Sequence, residues 1–333
     1  MISDNFWTGK RVGITGHTGL IGGYLCAELV KQGASVKGMD LNASGTRMHH
    51  GVAVPWMKES VLDAWKVQDF CDDKDVIFHL AANSGVTASR NNGYSAFELN
   101  FMGTLNVLEA CRFHDAGIHV VVASSNHVYG NGGKASTPEY ASLNQLDTYS
   151  ASKICADYLA RSYAHNYGLK VSVMRNTNCF GPFDPHNDHI INATILSLMK
   201  DEAPIIKSDG NRVKSYMHVA DTAKAYAMVG AAMQGGVWNL ADERISVKAL
   251  VEKIMTLFHR IVPADAVTDE FSPMPIMMGE PDDQTDEWLD STKIRSLLGW
   301  KPAYTLDEAL LDTIRWFRDS QSVWQVESAL EKR

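Results

Sequence analysis

Apolar residues in the first half of this chain alternate between two patterns: short, nearly unbroken runs, and longer stretches in which they recur every three or four positions. The runs Arg11–Thr15, Ser35–Met39, Val76–Leu80, Val120–Ser124 and Val171–Arg175 read as strands. Gly19–Gln32, about Ser95–His114 and Thr148–Tyr167 read as helices. Strands that are apolar on both sides need cover on both faces, so this regular alternation predicts an α/β fold with a doubly wound parallel sheet. After about Phe180 the pattern loosens into a Pro- and His-bearing loop, Gly181–His189, and then a helix from Ile190 to about Lys200. Short strands and helices follow, with a Pro/Met-rich stretch at Ser272–Pro281. The expectation is a sheet domain over residues 1–180 and a smaller mixed α/β lobe over 181–333, with an approximate boundary and segments free to interleave.

Composition changes this picture little. With 333 residues, 45% of them hydrophobic and 21% charged, the chain has ample material for a core. A net charge of −8 gives the molecule as a whole no attraction to nucleic acid or anionic membrane, so a polyanionic ligand needs a local positive site. Cys26, Cys71, Cys111, Cys155 and Cys179 are odd in number, widely spaced and without a C-x-x-C pair, which fits a reducing cytoplasm. Met1–Arg11 has no apolar signal core, and no window approaches the ~18 apolar residues of a membrane span. A cytoplasmic protein is expected, with neither nucleic acid nor membrane as partner.

The chemistry begins at the first strand-to-helix turn. In Val12-Gly13-Ile14-Thr15-Gly16-His17-Thr18-Gly19-Leu20-Ile21-Gly22 a glycine stands at every third position. Such glycines permit a sharp turn, close approach to a pyrophosphate and tight helix packing, while the helix N-terminus offers free N–H donors. This makes the sheet domain Rossmann-type and makes Gly16, Thr18, Gly19, Leu20, Ile21 and Gly22 dinucleotide contacts. Asp40 closes the second strand, roughly 20 residues after the glycines, where a carboxylate accepts from the ribose hydroxyls and repels a 2′-phosphate. NAD is therefore favoured over NADP, with nearby Arg47 as the opposing feature. Asp63 sits either near the adenine or at a helix N-cap.

Tyr149 and Lys153 stand four residues apart, on one helical face. A phenol titrates near ~10, so it acts as a base at neutral pH only beside a cation. Lys153 supplies one and also reaches the nicotinamide ribose, leaving Tyr149 to take a hydroxyl proton. A structural Tyr–Lys pair is the alternative. Ser124-Ser125-Asn126-His127-Val128-Tyr129-Gly130 follows the Val120 strand, so its polar groups emerge at a strand's carboxyl end, where open parallel sheets bind ligands.

Together the glycine loop, the Ser before Asn126 and Tyr149-x-x-x-Lys153 resemble the extended short-chain dehydrogenase/reductase family, and more specifically its nucleotide-sugar epimerases and dehydratases. His79-Leu80-Ala81-Ala82, Leu99–Ala110, Arg175–Pro182 and Leu298-Gly299-Trp300-Lys301-Pro302 extend the likeness over nearly the whole chain. Phe6-Trp7-Thr8-Gly9-Lys10-Arg11 and Ile205–Gly210 look most like CDP-sugar-processing members. The resemblance implies a catalytic triad of Ser125, Tyr149 and Lys153, with Ala81, Ala82 and Asn100 lining NAD. It also implies substrate contacts from Ser125, Asn126 and Asn178, a substrate-binding role for the lobe, and a homodimer formed through the helices near 95–114 and 148–167.

Two departures bear on the reaction. The dehydratase branch places an acid after the Ser/Thr, followed by Glu or Lys, and this chain has Asn126 and His127. Asn neither gains nor loses a net proton, which favours an epimerase over a 4,6-dehydratase. His127 either shuttles a proton or packs within the loop. The family's diphosphate-clamping arginine is replaced by Lys214, a charge without a bidentate fork, and Lys207 or Arg212 can compensate. His186, Asp188 and His189 read as a substrate-capping loop rather than a metal site, so no metal is expected. The expectation is an NAD-dependent nucleotide-sugar epimerase, with a net dehydrogenase ranked below the dehydratase. A non-catalytic dinucleotide sensor is the alternative of another class, and it would need the glycine loop but not the triad.

Overall fold

The computed structural model describes residues 3, 5–41, 51–114, 117–130, 136–261, 275–280 and 286–320. Arg47, and positions 272–274 and 281 of the Pro/Met-rich stretch, lie outside them.

The chain opens with β1 (Arg11–Thr15), α1 (Leu20–Lys31), β2 (Ser35–Asp40), β3 (Trp56–Lys58), α2 (Ala64–Cys71) and β4 (Val76–His79). There follow α3 (Val86–Asn91), α4 (Gly93–Phe97), a π-helical turn at Glu98–Met102, α5 (Gly103–Phe113) and β5 (His119–Ala123). A 3₁₀ turn at Asn126–Tyr129 leads to α6 (Thr148–Tyr167), β6 (Lys170–Asn176), β7 (Asn178–Phe180) and α7 (Ile190–Met199). The remainder holds β8 (Ile205–Ile206), β9 (Val213–His218), α8 (Val219–Ala232), β10 (Gly236–Leu240), β11 (Arg244–Ser246) and α9 (Val247–Ile261). Last come β12 (Met277–Met278), α10 (Thr292–Leu298) and α11 (Leu306–Asp319).

Seven strands form one parallel sheet in the order β10-β6-β5-β4-β1-β2-β3. Side chains alternate across it as the pleat requires. Val12, Ile14, Val76, Phe78 and Val121 pack on one face with α1 and α8, while Ile77, Val120, Val122, Val171 and Val173 pack on the other with α2, α5 and α6. This confirms the doubly wound reading. Residues 219–240 lie past position 180 yet supply the helix paired with α1 and the edge strand β10, so the later half of the chain interleaves with the sheet. A third core, with Ile195, Tyr216, Ile254 and Ile314, joins α7, α9 and α11 into the lobe.

The expected single helix over 95–114 is divided into α4, the π-helical turn and α5. The widened turn holds Asn100, whose buried amide takes the Asn83 N–H on Oδ1 (2.8 Å) and donates from Nδ2 to Asn83 O (3.1 Å) and Ser152 Oγ (2.9 Å). The loop after β4 is thereby fastened to α6. The short strand β3, unseen in the sequence pattern, extends the sheet beyond β2. All five cysteines are free, and no helix among the described residues is long and apolar enough to cross a membrane.

Candidate active site

The glycine loop lies where β1 meets α1, and two of its glycines are fixed by close backbone approach. A Cβ on Gly16, whose φ is +68°, would meet Ala81 N at 2.7 Å, and one on Gly22 would meet Gly16 O at 2.2 Å. Gly19, the N-cap of α1, has no side chain to occupy the N–H groups of the first turn. Thr18 N–H and Oγ1 both donate to Asp40 Oδ2 (3.2 and 2.7 Å), which locks the loop to the end of β2. Ala81 N–H donates to Thr15 Oγ1 (3.2 Å), so the turns after β1 and β4 are knit together, with Ala82 next along the chain. This cradle of bare backbone at a helix N-terminus beside a strand-end carboxylate has the form a dinucleotide pyrophosphate and ribose require. Leu20, Ile21 and Gly22 make the first turn of α1. Gly22→Val should abolish NAD retention through the backbone clash; wild-type NAD content in the purified variant would contradict this.

Asp63 turns out to be an N-cap. Its Oδ1 accepts the N–H groups of Trp65 and Lys66 at the start of α2.

Tyr149 and Lys153 are buried on the first turns of α6, whose N-cap Asp147 accepts the Ser150 N–H (3.0 Å). Lys153 Nζ donates to Ala123 O (3.0 Å), tying α6 to the carboxyl end of β5, where Ser125 is buried. Tyr149 and Ser125 share a hydrogen bond. Burial pushes the Tyr149 phenol up to about 12 against the lowering effect of that bond, and burial pushes the Lys153 ammonium down to about 8. Both shifts reflect the cost of holding charge away from water. The His127 ring stands edge-on to Tyr149, with centroids 6.0 Å apart, and burial lowers its basicity against the opposing pull of Glu287. His79, at the end of β4, is enclosed by Thr15 Oγ1 (2.8 Å) and Thr104 Oγ1 (3.1 Å), and burial brings it down to about 3.

Behind the triad a buried ion pair joins the elements that carry it. Arg175 of β6 donates from Nε and Nη2 to the two carboxylate oxygens of Asp157 on α6 (2.8 Å each). Asp157 also accepts Ser124 Oγ (3.0 Å), and Arg175 Nη1 donates to Tyr129 OH (2.7 Å).

One residue escaped the sequence reading. Glu287 is 7% exposed, and its Oε2 accepts Asn126 Nδ2 (2.7 Å) and Asn178 Nδ2 (3.3 Å). Its Oε1 pairs with Arg212 Nη2 and lies 3.5 Å from Lys214 Nζ. Three of the expected substrate contacts, Asn126, Asn178 and Lys214, thus converge on a carboxylate from far along the chain, and Arg212 joins them while Lys207 is exposed. Burial would raise the Glu287 carboxyl, but Lys214, His127 and Arg212 outweigh it and hold it down to about 2. No sequence motif marks Glu287. Asn126 Oδ1 in turn accepts Ser125 Oγ (3.3 Å), so the carboxylate is two hydrogen bonds from the triad serine.

The loop His186, Asp188 and His189 does gather its side chains, with candidate ligand atoms within 4.8 Å of one another. His189 Nδ1 lies 3.0 Å from the buried Asp184, and His186 Nε2 lies 3.2 Å from Ser84 Oγ, which docks this loop against the turn after β4.

A Rossmann-type sheet with a glycine cradle, an acidic strand end and a Ser–Tyr–Lys constellation at the carboxyl ends of its strands defines a dinucleotide-dependent enzyme. Residues 12–241 match the model of the NAD dependent epimerase/dehydratase family, and the chain belongs to it. It is an NAD-dependent enzyme rather than a sensor. It is 30% identical over 320 residues to a UDP-glucose 4-epimerase of Mycolicibacterium smegmatis, covering 93% of this chain and 99% of that one. It is 27% identical over 349 residues to a CDP-glucose 4,6-dehydratase of Salmonella typhimurium, covering 96% and 93%. In fold it matches a dTDP-glucose 4,6-dehydratase from Streptomyces venezuelae, with a TM-score of 0.83, 24% identity, and coverage of 94% of this chain and 98% of that one.

Proposed function

We propose that this protein is an NAD-dependent nucleotide-sugar epimerase that works through a transient keto sugar. Tyr149 Oη takes the proton of a sugar hydroxyl, Ser125 bonds the same oxygen, and Lys153 holds the phenol ionised while reaching the nicotinamide ribose. NAD held in this site would supply the hydride acceptor for the carbon that bears that hydroxyl and the donor for its return on the opposite face. Gly16, Thr18, Gly19, Leu20, Ile21, Gly22, Asp40, Ala81 and Ala82 form its site, and Asn100 fixes the loop that carries the alanines. Most of the acceleration comes from orientation and from donors placed around the developing oxyanion.

The observation that carries the choice of epimerase over dehydratase is the state of the groups around Asn126. Its amide transfers no proton, and Glu287 beside it is held ionised by Arg212 and Lys214, so no carboxylic acid stands ready at neutral pH to expel water. His127, edge-on to Tyr149, is the group through which a 4,6-dehydratase would have to operate. Incubation with CDP-, UDP-, GDP- and dTDP-hexoses, followed by NMR, decides between them. An isomeric sugar without accumulated NADH is expected, and a 4-keto-6-deoxy product would overturn the epimerase.

The same reading makes the protein a cytoplasmic homodimer. An apolar groove lined by Phe101, Ile154, Cys155, Tyr158, Leu159 and Ser162 lies along α6, and Phe97 and Met102 beside it are exposed, which supports the segment near 95–114 together with α6 as the dimer face. Leu159→Glu should give a monomer in sedimentation; a dimer that survives the change excludes this face.

A further inference from the structure

We propose that Glu287 is a specificity-determining residue, whose buried carboxylate admits a neutral or ammonium-bearing sugar and excludes a sugar carrying a carboxylate of its own. The inference rests on the nucleotide-sugar reading above.

Glu287 cannot easily swing away, because the main chain around it is held on both flanks. Glu287 N–H donates to Val213 O (3.0 Å), and Val213 N–H donates to Asp286 Oδ1 (2.9 Å). On the other side Thr137 N–H donates to Trp288 O (2.8 Å) and Asp290 N–H to Thr137 O (2.9 Å). The carboxylate is thus a fixed part of the wall next to Asn126, and through Asn126 it reaches the Ser125 hydroxyl at the reacting centre.

Its present partners fall into two kinds. Asn126 and Asn178 are neutral donors on Oε2, while Arg212 and Lys214 are cations on Oε1. A nucleotide sugar brings a doubly charged diphosphate, which competes for the two cations and outbids a single carboxylate on charge. Lys214, at 3.5 Å the looser of the two, is the one that turns to it, while Arg212 stays on Oε1 and keeps the carboxylate ionised beside the Asn126 and Asn178 amides. A carboxylate with two amides suits hydroxyl groups, which donate to the first and accept from the second. An ammonium pairs with it directly. A uronate places a second negative charge against it where water cannot screen the repulsion, and a fixed like charge is the usual means of rejecting a competing ligand.

The test compares binding of UDP-glucose and UDP-glucuronate to the NAD-loaded protein by calorimetry. The wild type should prefer the hexose by about tenfold or more, Glu287→Gln should narrow the gap to about threefold or less by gaining uronate, and Glu287→Asp, which keeps the charge, should preserve the preference. Equal wild-type affinities, a gap that Glu287→Gln leaves unchanged, or its loss in Glu287→Asp would each overturn the inference while leaving the nucleotide-sugar reading in place. Where the hexose panel selects another nucleotide, the two sugars carry that one, and if no member of that panel binds, both readings fall together.

Discussion

Tyr149→Phe should lower turnover by roughly 10²- to 10⁴-fold while the protein still binds NAD and unfolds at its usual temperature. The substitution removes one oxygen from a buried ring and leaves its packing on α6 unchanged. The only described bond lost is the one with Ser125, whose hydroxyl keeps Asn126 Oδ1 as an acceptor, so the structural cost is that of one neutral hydrogen bond, about 1 kcal/mol. The catalytic cost is larger because no other group at that position takes the proton. The reactive form is the phenolate, so wild-type rate should rise with pH below about 8, the range in which Lys153 keeps its charge. Burial holds the phenol up to about 12 against the Ser125 hydrogen bond with Lys153 already in place, so ionisation at neutral pH calls for the positive charge of bound NAD as well. Parallel assays of single-turnover rate and NAD fluorescence test the claim. An unchanged rate, or a wild-type rate that falls across that interval, would remove Tyr149 from the role of base.

The second large effect is on stability. Asp157→Ala should cost about 3–5 kcal/mol, since it strands the Arg175 guanidinium, 1% exposed, without its counter-charge. The change also frees Ser124 Oγ and loosens α6 from β6, so activity should fall beyond what the unfolded fraction explains. A denaturant series on wild type, Asp157→Ala, and Asp157→Leu combined with Arg175→Met measures it. The double variant should recover much of the loss, because a matched apolar pair removes the buried unpaired charge and leaves Arg161, 36% exposed, without its carboxylate partner. A single variant within about 1 kcal/mol of wild type would show that the pair contributes little.

How far the sequence could be read follows from how local each signal is. The bounds of α6 are those its apolar period gave, Thr148–Tyr167, because Asp147 caps one end and Gly168, at φ 68°, the other. The glycine loop was legible because its demands arise within ten residues of chain. The long helix over 95–114 was misread as unbroken, since the π-helical turn exists to aim Asn100 at Asn83 and Ser152, and neither partner is near it in sequence. Likewise the helix beside α1 and the edge strand next to β6 come from 219–240, a placement that depends on contacts across the sheet.

Short-range periodicity and one strand-to-helix turn are enough to read the Rossmann-type sheet, the dinucleotide loop and the Tyr149–Lys153 pair, and the family resemblance adds Ser125 to that constellation. What surrounds that constellation comes from contacts across the fold. Glu287 meets Asn126 across 161 positions, and it does so because residues 286–290 are stitched between β9 and Thr137. A buried charge depends on which cations the fold brings within a few ångströms of it, and no periodicity along the chain encodes that distance.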